Sequence, residues 1–210
     1  MFKFPELTFA PDALEPLMSR TTLEFHHGKH HAAYIKNMNA ILSERGDALA
    51  SLEQVVALAR RENDAKLFNN AAQSWNHAFF WQSLSPDKQS GPEGELKLAI
   101  ERAFGSVDGF REKFAALGAG HFASGWAWLA ADRSGALKLI DTHDADTVIT
   151  DESITPIIVA DVWEHAYYLD YKNDRGGFLK GVTEKLINWR FAAAQYEAAR
   201  KGERGWRFPS

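Results

Sequence analysis

The chain has 210 residues, of which 45% are hydrophobic and 25% are charged, as is ordinary for a globular protein with a sizeable core. Its formal net charge of −4 argues against nucleic-acid and anionic-membrane partners. It contains no cysteine, which excludes disulfides, iron–sulfur clusters and thiol nucleophiles. The N-terminal residues do not resemble a signal peptide, and no apolar run approaches the ~20 residues of a membrane span, so we expect a cytoplasmic protein.

The first half of the sequence predicts helices. Residues 20–45 carry apolar positions at helical spacing, and Gly28 inside this run is a weak point where a local bulge is expected. A second helix is predicted over 51–62, with Ser51 as its N-cap. A third helix, over 64–84, is apolar nearly all round, which indicates burial on several sides.

The second half of the sequence has a different pattern, in which short apolar segments predict strands as well as helices. A stretch rich in proline, glycine and charge at 85–95 is the best candidate for a linker, and helices are predicted over 93–103 and 107–117. Three short apolar segments separated by turn signals, GWAWLAAD, ALKLIDT and TPIIVAD, then predict strands. Helix is predicted again after Asp161 and over 178–200. This order predicts an α+β protein with a helical domain followed by a small antiparallel sheet flanked by helices.

Four of the eight histidines lie within the segment HHGKHHAAY. On a helix His26, His30 and Tyr34 would share one face, and the other two histidines would lie on the neighbouring stripe. Neutral imidazole binds first-row transition metals well, so metal ligation is one explanation of this face. Surface histidines, or core histidines bonded to backbone carbonyls, are the alternatives.

Two further segments offer candidate ligands. NNAAQSWNH places Gln73 and His77 four residues apart on a helix too apolar to leave an imidazole unpaired without cost. DVWEHAYYLDY places Asp161 and His165 four residues apart at the end of a predicted strand. If His26 joins them, the site has three imidazoles and one carboxylate, a set that suits iron, manganese, zinc or copper.

Other metal-dependent classes fit less well. A di-iron carboxylate site needs two Glu-x-x-His helices, and only Glu24 begins such a motif. A zinc metalloprotease needs His-Glu-x-x-His, which the sequence does not contain. A phosphohydrolase of the His-Asp type could use His121, the pair His143 and Asp144, and Asp161, although that pair follows a predicted strand and not a buried helix.

The segments HHGKHHAAY, FNNAAQSWNHAFFW, HFASGWAWL and DVWEHAYYLDY resemble, in order and spacing, the motifs of the iron/manganese superoxide dismutase family. The resemblance extends from about Phe4 to Arg200. It implies an oxidoreductase that converts superoxide to dioxygen and hydrogen peroxide at one metal ion cycling between +3 and +2. It also implies a helical hairpin domain over 1–88 and an α/β domain with a three-stranded antiparallel sheet over 89–210. Residues 161–165 are then expected to form a strand end and a turn.

The resemblance further implies roles for individual residues. It assigns a metal site, with a solvent molecule as fifth ligand, to His26, His77, Asp161 and His165. Gln73 is expected to hydrogen-bond this solvent, and Tyr34 and His30 to line the route of substrate and protons. These three are therefore the candidate catalytic residues beside the metal.

Two more groups of residues are expected near the site. Trp126, Trp128 and Trp163 are expected to form a stiff apolar wall around the metal. Lys29 and Arg175 are expected to supply local positive potential for the anionic substrate, their alternative being ordinary solvated surface cations.

The resemblance also implies a homodimer, which could double to a tetramer. In it Glu164 would reach toward His165 of the partner subunit, and Tyr168 toward His30 of the partner subunit. No nucleic acid or membrane is expected as a partner.

The residues near the ligand His77 predict iron as the metal. Iron-type members of the family carry a glutamine in the second helix of the hairpin, where Ala72 and Gln73 stand here, and Trp75 agrees with that pattern. Manganese-type members carry the glutamine in the sheet domain, at the position that DTHDAD fills with Ala145. One iron ion per subunit is therefore expected, with manganese or the use of either metal as the alternative.

Overall fold

The computed structural model describes residues 1–87 and 89–209. The predicted linker 85–95 and the predicted domain boundary at 88/89 both include Lys88, which lies outside the described residues. In the part of the chain that is described, no helix is both long and apolar enough to cross a bilayer.

Helices form the first part of the chain. Their bounds are α1 Arg20–Phe25, a π-helical turn His26–His31, α2 Ala32–Arg45, α3 Leu52–Glu62 and α4 Ala65–Ser83. The bulge expected at Gly28 is confirmed, because the long run predicted over 20–45 is interrupted by the π-helical turn that contains it. Ser51 caps α3, also as predicted, and the structure adds a capping box with Gln54.

Helix α4 is the centre of this helical domain. It packs against α2 and α3 and also against the sheet of the second domain. Thirteen of its residues are buried, among them Trp75, Phe79 and Phe80, which are at most 1% exposed. The predicted burial on several sides is therefore confirmed.

The second domain contains a three-stranded antiparallel sheet, as predicted. Its elements are α5 Gly94–Phe104, α6 Val107–Gly120, β1 Gly125–Asp132, β2 Leu137–His143, a 3-10 turn Val148–Thr150, β3 Ile154–Asp161, a 3-10 turn Glu164–Ala166, α7 Tyr168–Tyr171, α8 Arg175–Gly181, a π-helical turn Val182–Leu186 and α9 Trp189–Arg200. The strand order is β2-β1-β3, so the buried strand β1 lies in the middle. Its register pairs Trp126 with Asp161, which brings an indole beside a predicted ligand.

Two helix predictions in this domain need correction. After Asp161 the chain forms a 3-10 turn and the four-residue helix α7. The expected strand end and turn are therefore confirmed, and the prediction of a regular helix directly after Asp161 is wrong. The single helix predicted over 178–200 is also wrong. It is interrupted at Ile187, which is extended and forms an isolated bridge with Leu84. Asn188 then caps α9 by accepting a hydrogen bond from the Phe191 N–H.

Candidate metal centre

The four predicted ligands converge between the two domains. His26 comes from the π-helical turn, His77 from α4, Asp161 from the end of β3 and His165 from the 3-10 turn that follows. One ligand atom from each lies within 4.8 Å of the others. His26, His77 and Asp161 are fully buried, and the side chain of His165 is 11% exposed. Among the described residues, no other group of histidine and acidic side chains converges in this way.

The carboxylate of Asp161 lies at the middle of the cluster. Its Oδ2 is 2.9 Å from His26 Nε2, 3.2 Å from His165 Nε2 and 3.5 Å from His77 Nε2. Its Oδ1 accepts a hydrogen bond of 2.8 Å from the Trp163 N–H, which fixes the carboxylate plane. Four donor atoms therefore face one small volume.

The tautomer of His77 is fixed by its own helix. Its Nδ1 lies 2.8 Å from the carbonyl oxygen of Gln73, one turn earlier in α4. A carbonyl can only accept, so Nδ1 carries the proton and the lone pair on Nε2 faces Asp161. This arrangement is typical of metal-ligating histidines.

The protonation states also suit a cation. Burial lowers the pKa of His26 to about 4, even though the bond to Asp161 opposes the shift, and burial lowers the pKa of His77 well below its usual value. Burial alone would raise the pKa of Asp161, but the charge and hydrogen bonds of His165 and His26 outweigh it and lower that pKa. The site thus presents a carboxylate and the neutral imidazoles of His26 and His77 at neutral pH, which are the forms that bind metals.

Gln73 adds a buried hydrogen-bond donor. Its side chain is 1% exposed, and its Oε1 accepts a hydrogen bond of 3.0 Å from the Trp126 indole N–H. Its Nε2 has no hydrogen-bond partner among the described residues. A buried amide donor without a partner costs about 1–3 kcal/mol, so this atom is suited to a ligand held at the site. Tyr34 lies next to this amide and packs 5.3 Å from the His77 ring, and burial raises its pKa.

Aromatic rings hold the ligand imidazoles in place. His30 stacks on His165 at 4.3 Å, and Trp163 stacks on the same imidazole at 5.5 Å. Trp126 meets His77 edge-on at 4.9 Å. Trp128 lies one layer further back, packing on Trp126 at 6.4 Å and donating its indole N–H to Thr142. Two of the three predicted wall tryptophans therefore touch ligand rings, and Trp128 supports the wall from behind.

Sequence reasoning left His31 open, with a core histidine bonded to a backbone carbonyl among the alternatives, and it missed Trp81. His31 is fully buried and stacks on His77 at 5.4 Å with an interplanar angle of 14°. Its Nε2–H donates to the carbonyl oxygen of Ser74, and its Nδ1 accepts from the Trp81 indole N–H. Trp81 in turn meets His26 edge-on at 4.7 Å. The signal was present in the sequence, since Trp81 is four residues after His77 on the same helix.

The two predicted steering cations have different surroundings. Lys29 is exposed, as a surface cation would be. Arg175 is partly buried and donates hydrogen bonds to the carbonyls of His121 and Ala123 and to the hydroxyl of Tyr167. The alternative of an ordinary solvated cation is therefore wrong for Arg175, which fixes the turn before β1.

The residues of the phosphohydrolase alternative do not join the cluster. His121 Nδ1 lies 2.7 Å from Asp141, and its Nε2 lies 3.1 Å from the carbonyl oxygen of Ser124. His143 has a side chain that is 59% exposed, beside Asp144. Only Asp161 of that set lies at the metal centre, so this alternative is wrong.

The fold and the buried cluster define a mononuclear metalloprotein whose metal ligands come in equal numbers from two domains. The model of the alpha-hairpin domain of iron/manganese superoxide dismutases matches residues 1–85, and the model of their C-terminal domain matches residues 92–195. The chain belongs to the iron/manganese superoxide dismutase family and is an oxidoreductase of that family. Residues 86–91 lie between the two matches, and the boundary at 88/89 stays a prediction.

Several curated relatives are named as iron superoxide dismutases. The one from Synechococcus elongatus is 46% identical over 94% of this chain and 98% of its own length. The relative from Pseudoalteromonas translucida is 44% identical over 93% of this chain and 99% of its own length. A relative from Plasmodium falciparum is 43% identical over 94% of this chain and 97% of its own length.

Proposed function

We propose that the chain is an iron superoxide dismutase that binds one iron ion per subunit and converts superoxide to dioxygen and hydrogen peroxide. The observation that carries the proposal is the cluster His26, His77, Asp161 and His165, whose donor atoms lie within 4.8 Å of one another. The family matches and the names of the relatives support the same chemistry.

The protein residues orient the reactants and supply protons. Iron held by His26, His77, Asp161 and His165 would supply one-electron redox chemistry between the +3 and +2 states. Gln73 offers its Nε2–H to an oxygen atom at the site, because its Oε1 is already bonded to Trp126. Tyr34 lies next to Gln73 and keeps its phenolic proton at neutral pH, since burial raises its pKa. Partly exposed His30 lies between this site and the surface.

The position of the glutamine supports iron over manganese. Gln73 comes from α4 and is fully inside the site. The corresponding position in the sheet domain is Ala145, which is 5% exposed and has no polar side chain to offer. That loop lies against α4, since Asn76 donates a hydrogen bond to the carbonyl oxygen of Asp146. His143, two residues earlier at the end of β2, has a side chain that is 59% exposed, so it does not supply this donor either. A donor near the reacting oxygen sets which protonation state is favoured and therefore the reduction potential.

Separately reconstituted iron and manganese forms test this proposal. We expect the iron form to be clearly more active at neutral pH and to be inactivated by hydrogen peroxide. Activity is the correct measurement, because the same ligands suit both metals and a metal that binds well can still turn over poorly. Equal activities would show that the enzyme uses either metal, and higher activity with manganese would refute the choice of iron.

The quaternary state proposed is a homodimer formed around the metal-proximal surface. Glu164 and Tyr168 are exposed, and Phe25 and Leu169 add large apolar side chains that are 51% and 49% exposed. Helix α1 packs against α7, so these residues belong to one face. Among the described residues, no hydrogen bond to His165 Nδ1 is made within the chain, which leaves it available to Glu164 of the partner subunit.

Steering of the anionic substrate and a cytoplasmic location complete the proposal. The net charge of −4 repels superoxide at long range, so attraction must come from local cations such as Lys29 and Arg175. The chain has no cysteine and so no disulfide that a reducing compartment such as the cytoplasm would break. Fractionation of the source cells is the measurement that locates the protein.

A further inference from the structure

The segment after α9, residues 202–209, is bound to the sheet domain at its start. Thr155 donates a hydrogen bond of 3.2 Å to the carbonyl oxygen of Glu203. The N–H of Trp206 donates to Gln195 Oε1 at 2.8 Å, while Gln195 Nε2 donates to the carbonyl oxygen of Pro156 in β3. Gln195 is 3% exposed, so one buried amide ties α9, β3 and the segment together.

Glycine is required within this segment at Gly205. Its φ is +70°, a conformation that side chains with a Cβ rarely adopt. A Cβ there would also lie 2.7 Å from Gln195 Nε2 and 2.8 Å from Gln195 Oε1. Gly205 thus lies between Glu203, which is bonded to β3, and Trp206, whose indole packs on the helical domain.

The other end of the segment is bound to the helical domain. The Phe208 N–H donates to Glu53 Oε1 at 2.9 Å, and the same oxygen accepts the Trp75 indole N–H at 2.9 Å. Trp206 packs edge-on against Trp75 at 5.6 Å and against Phe79 at 5.8 Å. The side chain of Glu53 is only 9% exposed, so the carboxylate joins α3, α4 and the segment inside the protein.

The buried end of the segment extends to the start of the chain. Phe208 is 5% exposed and packs edge-on against Phe2 at 6.1 Å. Phe2 is paired with Asn39 of α2 by two hydrogen bonds. The segment therefore contacts α2, α3 and α4 directly or through one residue, and lies beyond residue 195, where the family match ends.

We propose that residues 202–209 act as a clasp that positions α4 against the sheet, with Trp206 as the positioning residue. Trp75 lies two residues from Gln73 and two from His77 on α4. His77 must face Asp161 on β3 for the ligand set to be complete, and Gln73 must reach Trp126 on β1 for its amide to be oriented. The clasp supplies a connection between the domains that does not require a metal. It therefore keeps the ligands in register while the site is empty and slows metal loss when it is filled.

The rate of iron release from the full-length protein, loaded with ferrous iron and kept free of oxygen, to an excess of a ferrous chelator tests the proposal. We expect Trp206→Ala, Gly205→Ala and a chain ending at Gly202 each to release iron about tenfold faster than the wild type, the size of effect typical of residues that orient ligands. Trp206→Phe keeps an aromatic ring against Trp75 and should restore slow release. Activity is not measured, so the test is independent of whether the proposed dismutase reaction is correct.

A matched control separates positioning from general destabilisation. Phe114 is 1% exposed in the core of the sheet domain, so Phe114→Ala removes a buried ring without touching the clasp. The release rate of each variant is measured at a temperature that lies the same number of degrees below its own unfolding temperature. If the clasp variants then release iron no faster than Phe114→Ala, the proposal is overturned.

Hydrogen exchange in the wild type requires no variant. If the clasp holds without metal, the Phe208 amide and the Trp75 indole N–H should exchange slowly both in the iron-loaded and in the metal-free folded protein. Rapid exchange of either group after iron removal would show that the metal holds the clasp and not the reverse.

Discussion

The buried imidazole of His31 predicts a measurable pH dependence of stability in the metal-free protein. Burial lowers the pKa of His31 to about 3, from an ordinary value of 6.5. Between these two values the unfolded chain binds a proton at His31 and the folded protein does not. Stability contributed by the neutral form is therefore complete above pH 6.5 and is lost as the pH falls toward 3.

The magnitude follows from one proton. The free energy of unfolding should change by about 1.4 kcal/mol per pH unit from this residue alone, or about 2.7 kcal/mol over two units below 6.5. His31→Gln cannot titrate, yet its amide can still donate to Ser74 and accept from Trp81. We expect the plot of unfolding free energy against pH to be less steep in the variant by that amount.

Urea unfolding of the metal-free proteins at a series of pH values below neutrality gives both slopes. His26 and His77 are present in both proteins, so the difference reports His31 together with its coupling to these two imidazoles. His143→Gln, at a side chain that is 59% exposed, controls for the loss of an imidazole at the surface. Parallel curves for the wild type and His31→Gln would refute the reasoning that His31 is held neutral by burial.

Three further predictions concern the site, the dimer and the substrate. His77→Ala should abolish metal content or activity, whereas His143→Ala should leave both unchanged; a fully active, normally loaded His77→Ala protein would refute the ligand set. Glu164→Ala should weaken the dimer, measured by sedimentation, and disturb metal content because the partner's His165 loses its orienting carboxylate; a tight, fully active dimer would contradict this. The second-order rate should fall as salt rises, since exposed charges are screened over ~10 Å at 0.1 M. Lys29→Gln should flatten that salt dependence with the fold intact, while Arg175 is a poorer choice because it also bonds the turn before β1. A salt-independent wild-type rate, with chemistry shown not to limit turnover, would exclude steering.

The regular elements could be predicted because the sequence repeats its apolar positions at the right period. The capping box at Ser51, the bulge around Gly28 and the three short strands all follow from local chemistry. The interruption at Ile187 could not be predicted in this way. It depends on a bridge to Leu84, about a hundred residues away, and on Asn188 bonding the carbonyl oxygens of Gln82 and Ser83.

The same limit applies to the site. The ligands were predicted from motifs, which record residue type and spacing along the chain. The stack of His31 on His77 and the hydrogen bonds of Arg175 to two backbone carbonyls depend on how separate elements meet. Position in sequence could not show that Trp128 lies behind Trp126, because the two residues share one face of β1 and both are buried. Which of them reaches His77 depends on where α4 crosses that face.

The orientation of the Gln73 amide follows from the meeting of the two domains. The two ends of an amide differ only in that one accepts and the other donates. The Trp126 indole N–H can only donate, so the end that faces it must be Oε1, and Nε2 must be the end left for the site. Trp126 belongs to β1 and pairs in register with Asp161, so the strand that positions the carboxylate ligand also fixes the amide on α4. A shift of α4 relative to the sheet would loosen both the coordination geometry and the bond that determines which way this amide points. For this reason the contact between the domains has a chemical role as well as a structural one.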